Sequence, residues 1–335
     1  MKISLKLLVF MAAVIYFVCL FIPDAVILND KKENEKEKTT EVFIPGSIQI
    51  EAAPEESLVY NILDEKNGEI LSLSERDFLI STVSLELSPL TDNEALKAQA
   101  VAARSFYRFK KEENKLKEYD FVCDSTEPYI YADKSYFENK WGENYSEYYA
   151  KITEAVDSTE NEILIYEGDV ACCSFFAMSG GVTLSAEEVW DEKIPYLISV
   201  ASPYDSLSPY FENKVSFTPN EVKDIVINYW KNGNFDFSLP YEEWFKDIRY
   251  YTSSGVKSVN ICSFSVTGSE VRKAFGLKST TFDIVYENRV FTFKTKGYGH
   301  GVGMSQTGAS YMAESGCDYK EILSLYYPGT TLIKL

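Results

Sequence analysis

The segment LTDNEALKAQAVAARSFYRFKK, residues 90–111, constrains the fold more than any other. Its Ala, Leu, Lys and Arg content is strongly helical. Its five alanines leave little side-chain bulk, which permits close packing against a neighbour. Thr91 and Glu94 have capping-box spacing and predict the helix start. Pro89 separates this helix from SERDFLISTVSLELSP, where Ser74 and Asp77 have similar spacing and Phe78, Leu79, Val83 and Leu85 cluster on one side.

Glu86 sits in the last turn of that first helix, in an apolar run. Carboxylates are disfavoured there by the uncapped carbonyls, and an apolar setting raises the carboxyl pKa further. A raised pKa is what a general acid for glycosidic cleavage needs near neutral pH. The plain alternative is an exposed helix-terminal glutamate.

Further along, a helix is expected around Tyr145–Asp157, then two strands joined at Gly168-Asp169. Thr218, Pro219 and Glu221 open another helix. FDIVYENRVFTFKTKG reads as strands, and YKEILSLYY as a last helix ending at Pro328-Gly329. The fold class is α+β, with helices and antiparallel strands around a substrate cleft.

The N-terminus carries Lys2 and Lys6, then an apolar run from Leu7 to Ile22 with no small-x-small cleavage site close behind. It reads as an uncleaved anchor. Residues 1–28 are a cytoplasmic stub and transmembrane helix, 29–41 a charged tether, and 42–335 an extracytoplasmic globular part. Within that part, residues 210–285 are a candidate inserted subdomain. A net charge of −18 leaves no basic face for nucleic acid. The 24 tyrosines suit stacking on sugars. Six scattered cysteines with no CxxC pair read as buried small residues, with Cys172 and Cys173 in a strand.

GYGHGVGMSQTG holds the only histidine, His300, among Gly297, Gly299, Gly301 and Gly303, with Ser305 and Gln306 following. Such glycine density lets backbone approach a ligand or another strand. Ser179-Gly180-Gly181 could present N–H groups to a ligand or simply turn the chain. No metal-ligand spacing is present.

In order, ELSPLTDNEALKAQAVAARS, SGGVTLSAEEVW, PYLISVASPYD, VRKAFGLKST, GYGHGVGMSQTGA and YYPGT resemble the stage II sporulation protein D family, which the amidase enhancers share. The resemblance runs from about Val59 to Leu335. It implies a lytic transglycosylase, anchored in the cell membrane, that cleaves peptide-stripped peptidoglycan glycan strands during engulfment in sporulation. The implied partners are stage II sporulation proteins P and M. The family's E-[ML]-x-P glutamate falls on Glu86.

By the same resemblance, Arg104, Tyr196 and Asp205 fall on functional positions, and substrate contacts are expected from Ser179, Gly180, Gly181, His300, Gly301, Ser305 and Gln306. Ile198 stands where a lysine often follows the Tyr-Leu pair. The zinc site of some relatives keeps only Cys123, because Glu127 and Pro128 replace its His-Cys pair, so no cofactor is expected. Two other readings stay open: a non-catalytic activator of an amidase, and a hydrolase with Glu94 or Asp124 as second carboxylate.

Overall fold

A computed structural model describes residues 58–115, 117–123, 130–253 and 255–335. The expected anchor and tether lie outside these residues. Among those described, no helix is long and apolar enough to cross a membrane.

The chain opens with strands β1 (Val59–Asp64) and β2 (Ile70–Ser74), then helices α1 (Glu75–Glu86) and α2 (Asn93–Asn114). Strand β3 (Phe121–Cys123) and helices α3 (Lys134–Trp141) and α4 (Tyr145–Ser158) follow. Next come β4 (Glu162–Tyr166), β5 (Asp169–Val170), β6 (Phe175–Phe176) and α5 (Ala186–Trp190). A second stretch holds β7 (Glu212–Phe217), α6 (Pro219–Tyr229), β8 (Phe245–Tyr250), β9 (Val256–Ile261), β10 (Phe264–Thr267), α7 (Gly268–Ala274), β11 (Phe282–Glu287) and β12 (Val290–Lys296). The chain closes with β13 (Met304–Ser305), α8 (Gln306–Glu314), α9 (Tyr319–Tyr326) and β14 (Thr331–Lys334).

The α+β class holds. Most strand pairs are antiparallel, but β1–β3 and β6–β13 are parallel, which the sequence pattern did not separate. Helix α2 is the spine of the first core. Ala95, Leu96, Ala98, Gln99, Ala100, Val101, Ala102 and Ala103 are all fully buried along it. It packs against α1, α4, α8, α9 and β4. So many neighbours can approach only a helix of small side chains, and added methylenes there would overpack it by about 1–3 kcal/mol. A separate core cluster draws on Val215 to Phe293, with Trp244, Phe291 and Phe293 buried at its centre.

Some local expectations are corrected. The N-cap of α2 is Asp92, which accepts from Glu94 N–H at 2.9 Å, not Thr91. The Thr91 carbonyl accepts from Lys151 Nζ at 2.7 Å. The β4–β5 turn sits at Glu167-Gly168, both at positive φ, one residue earlier than expected. Cys172 and Cys173 lie between β5 and β6 rather than in a strand, and both are buried free thiols. The helix start at Thr218 forms as expected, and it carries a capping box with Glu221.

Candidate active site

Ser74 caps α1 by accepting from Asp77 N–H, and the helix ends at Glu86, where Leu87 turns extended. No basic residue occupies its last turn. The partly exposed Glu86 therefore has no cation in its own turn. Its Oε2 accepts from Gln306 Nε2 at 2.9 Å, at the first residue of α8. The same Nε2 donates to Gln99 Oε1 at 3.3 Å. A carboxylate can only accept, so this contact fixes the orientation of the Gln306 amide.

Burial pushes the Glu86 carboxyl up to about 7, and the Gln306 amide pulls against that rise. The group is thus poised between acid and base near neutral pH. Gln99 Nε2 is buried without a partner among the described residues. Sequence reasoning missed Gln99. Its signal was present, as a lone amide amid the alanines of α2.

Beyond Gln306 lies a polar hub. Asp205 is fully buried in the 3-10 turn Pro203–Leu207. Its Oδ2 accepts from Ser179 and Ser202 Oγ, each at 2.6 Å, and its Oδ1 from Ser305 Oγ at 2.6 Å. Burial pushes the Asp205 carboxyl up, and the three hydroxyls oppose that. Ser305 also caps α8, accepting from Gly308 N–H at 3.2 Å. Ser202 and Tyr326 Oη share a further contact of 2.6 Å. Ser202 and Tyr326 were not expected here. They meet across 124 positions of sequence.

The glycines serve close backbone packing. Gly303 has φ +84°, and a Cβ there would lie 2.0 Å from the Ser174 carbonyl oxygen. A Cβ on Gly180 would meet Thr281 at 2.9 Å, and one on Gly301 would meet Leu184 at 2.8 Å. Gly181 turns at φ +103° and its carbonyl accepts from Ser202 N–H. His300 Nδ1 accepts from Val302 N–H at 3.1 Å, so its Nε2–H donates to the Phe175 carbonyl at 3.0 Å. Burial holds this imidazole down at about 4, hence neutral. Its ring lies 5.5 Å from that of Trp190, which is partly exposed.

Of the expected site residues, Gln306 touches Glu86, while Arg104 and Tyr196 are bonded elsewhere. Arg104 is buried near the opposite end of α1, 3.7 Å from Glu75, and donates to the carbonyls of Glu162 and Val156. Eleven helical steps separate Glu75 from Glu86, roughly 16 Å. Tyr196 is buried with its hydroxyl accepting from Cys172 N–H at 2.7 Å. Ile198 is exposed. Glu94 is held by Lys97 at 2.7 Å and by Tyr319 N–H at 3.0 Å, and Asp124 lies outside the described residues. Among the described residues no three His, Cys, Asp or Glu side chains are grouped to hold a metal ion. Cys123 is buried in β3, and residues 124–129 lie outside the description.

The stage II sporulation protein family profile matches residues 64–166, from the end of β1 through β4, Glu86 included. The chain is 32% identical to stage II sporulation protein D of Bacillus subtilis, over 89% of this chain and 85% of that one. It is 33% identical to the Bacillus amyloliquefaciens protein of the same name, over 79% and 76%. It belongs to the stage II sporulation protein D family. It is also 28% identical to the amidase enhancer of Bacillus subtilis, over 71% of this chain and 38% of that protein.

Proposed function

We propose that this chain is a membrane-anchored lytic transglycosylase that cleaves peptide-stripped peptidoglycan glycan strands between N-acetylmuramic acid and N-acetylglucosamine during engulfment. The observation that carries the reading is Glu86, a partly exposed carboxyl at about 7 with a neutral amide as its hydrogen-bond partner.

A hydrolase of ordinary type needs two carboxylates flanking the bond. Transglycosylation needs one, because the sugar supplies its own nucleophile. Protonated Glu86 gives its proton to the glycosidic oxygen as the bond from muramic acid C1 to that oxygen breaks. The muramic C6 hydroxyl oxygen then bonds to C1, closing the 1,6-anhydro ring, and its proton passes to the Glu86 carboxylate. Glu86 ends as it began and no water is consumed. A pKa near the working pH suits a group that must do both steps.

The reading assigns no step to a metal ion. It places the chain in the cell membrane through its N-terminal apolar run, with the catalytic part outside the cytoplasm. Stage II sporulation proteins P and M are the partners it implies. Likeness to an amidase enhancer favours one second reading, an activator of a partner amidase. Incubating wild type and Glu86→Gln with peptide-stripped glycan separates the two. Loss of cleavage in the variant with amidase stimulation retained supports catalysis. Intact strands with both proteins would leave the activator.

A further inference from the structure

Asp205 is a fully buried carboxylate whose three nearest donors are all serine hydroxyls. Burying a carboxylate is expensive, and the partners found here are neutral. Tyr326 reaches it only through Ser202. A residue serving packing alone would be better apolar. The arrangement has a direction instead. Each serine spends its proton on Asp205 and so turns its remaining lone pairs outward.

The outward contacts converge on the start of α8. Ser305 Oγ accepts from Gly308 N–H at 3.2 Å and from Ser179 N–H at 3.3 Å. Ser179 Oγ accepts from Gly181 N–H at 3.1 Å, tying in the Ser-Gly-Gly turn. A Cβ on Gly308 would sit 2.1 Å from Tyr326 Oη and 2.7 Å from Ser202 Oγ, so the first turn of α8 is pressed against the hub. The residue after Ser305 is Gln306, whose Nε2 holds Glu86 at 2.9 Å and Gln99 at 3.3 Å.

We infer that Asp205 is a positioning residue: through Ser305 it fixes the first turn of α8, so that the Gln306 amide is presented to Glu86. Asp205 then makes no contact with the glycan. The inference rests on the reading that Glu86 performs the chemistry, and deepens it by naming what sets its hydrogen-bond partner in place.

The test reads Glu86 directly. The full chain, labelled with 13C at glutamate carboxyls, is titrated by NMR, and Glu86→Gln identifies the signal. In Asp205→Asn, one acceptor oxygen becomes a donor. In Ser305→Ala, the link itself is removed. Both release Gln306, and the proton affinity of Glu86 rises about tenfold, the size of one hydrogen bond to a charged group. Ser206→Ala, in the same turn but with its hydroxyl on the Pro203 carbonyl, leaves the titration unchanged.

Variants that melt earlier yet titrate as wild type at Glu86 would overturn the inference, because they would show a structural role only. If Asp205→Asn does not accumulate as folded protein, Ser305→Ala decides alone. Glycan cleavage is assayed in parallel. A wild type inert on glycan would remove the transglycosylase reading, while the titration would still decide the role of Asp205.

Discussion

Gln306 Nε2 stands 2.9 Å from Glu86 Oε2, across 220 residues of sequence. The contact joins the end of α1 to the beginning of α8. A cation at that place would hold Glu86 ionised, and an apolar side chain would leave it protonated. A neutral amide does neither, and the carboxyl stays at about 7.

Removing the amide therefore has a definite sign. Gln306→Leu deletes the only donor to the Glu86 carboxylate among the described residues, so the proton affinity of Glu86 rises about tenfold. The proton-accepting half of the reaction is then starved at neutral pH. The pH–rate profile should shift to higher pH and fall at pH 7. An unchanged profile would show that Gln306 does not tune the acid.

Glu86 also makes stability depend on pH. Its carboxyl lies at about 7 when folded against an ordinary 4.5. Below 4.5 both states are protonated and Glu86→Gln changes little. As pH rises from 4.5 through 7 the unfolded chain ionises first while the folded chain keeps its proton, so stability is lost over that window and levels off above it. At pH 8, Glu86→Gln should be more stable than wild type by about 1–3 kcal/mol, discounted for partial exposure. Urea unfolding at pH 4 and pH 8 checks both the sign and the window.

His300 should behave in the opposite sense. Its imidazole is neutral with a value of about 4 against an ordinary 6.5. Stability from this group is present above 6.5 and is lost as pH falls towards 4, because the unfolded chain takes up the proton first. As the only histidine, it gives one proton NMR signal in the titration. A midpoint near 4 is expected, and one near 6.5 would contradict the half-buried, doubly bonded ring.

Arg104 should prove a fold residue. Replacing it by alanine leaves Glu75 short of one of its two guanidinium neighbours and removes the guanidinium donor from the carbonyls of Glu162 and Val156. Breaking one side of a buried pair costs about 3–5 kcal/mol. Denaturant unfolding should show that loss, while KM of the folded fraction stays at the wild-type value. A raised KM with stability intact would return Arg104 to the substrate.

The helices with side-chain caps were largely legible, because Ser74 and Thr218 act within three residues of themselves. The start of α2 was not. Thr91 and Asp92 are both good caps, and spacing alone does not choose between neighbours one residue apart. The same distinction runs through the site. Glu86, Ser305 and Gln306 stand in recognisable motifs, and two of them touch. Arg104 and Tyr196 also stand in motifs, but their partners Glu75, Glu162 and Cys172 settle them in buried structural bonds. Motif spacing cannot show which way a side chain turns. Asp205 was visible as a residue, and its three serines were scattered over more than a hundred positions.

The most direct test of the central claim follows the oxygen. Peptide-stripped glycan is incubated with the full chain in 18O-water and the fragments are weighed. Transglycosylation by Glu86 alone predicts 1,6-anhydro-muramic ends carrying no heavy oxygen, and none at all from Glu86→Gln. Reducing muramic ends carrying one 18O would mean that water is the nucleophile, and would contradict the account.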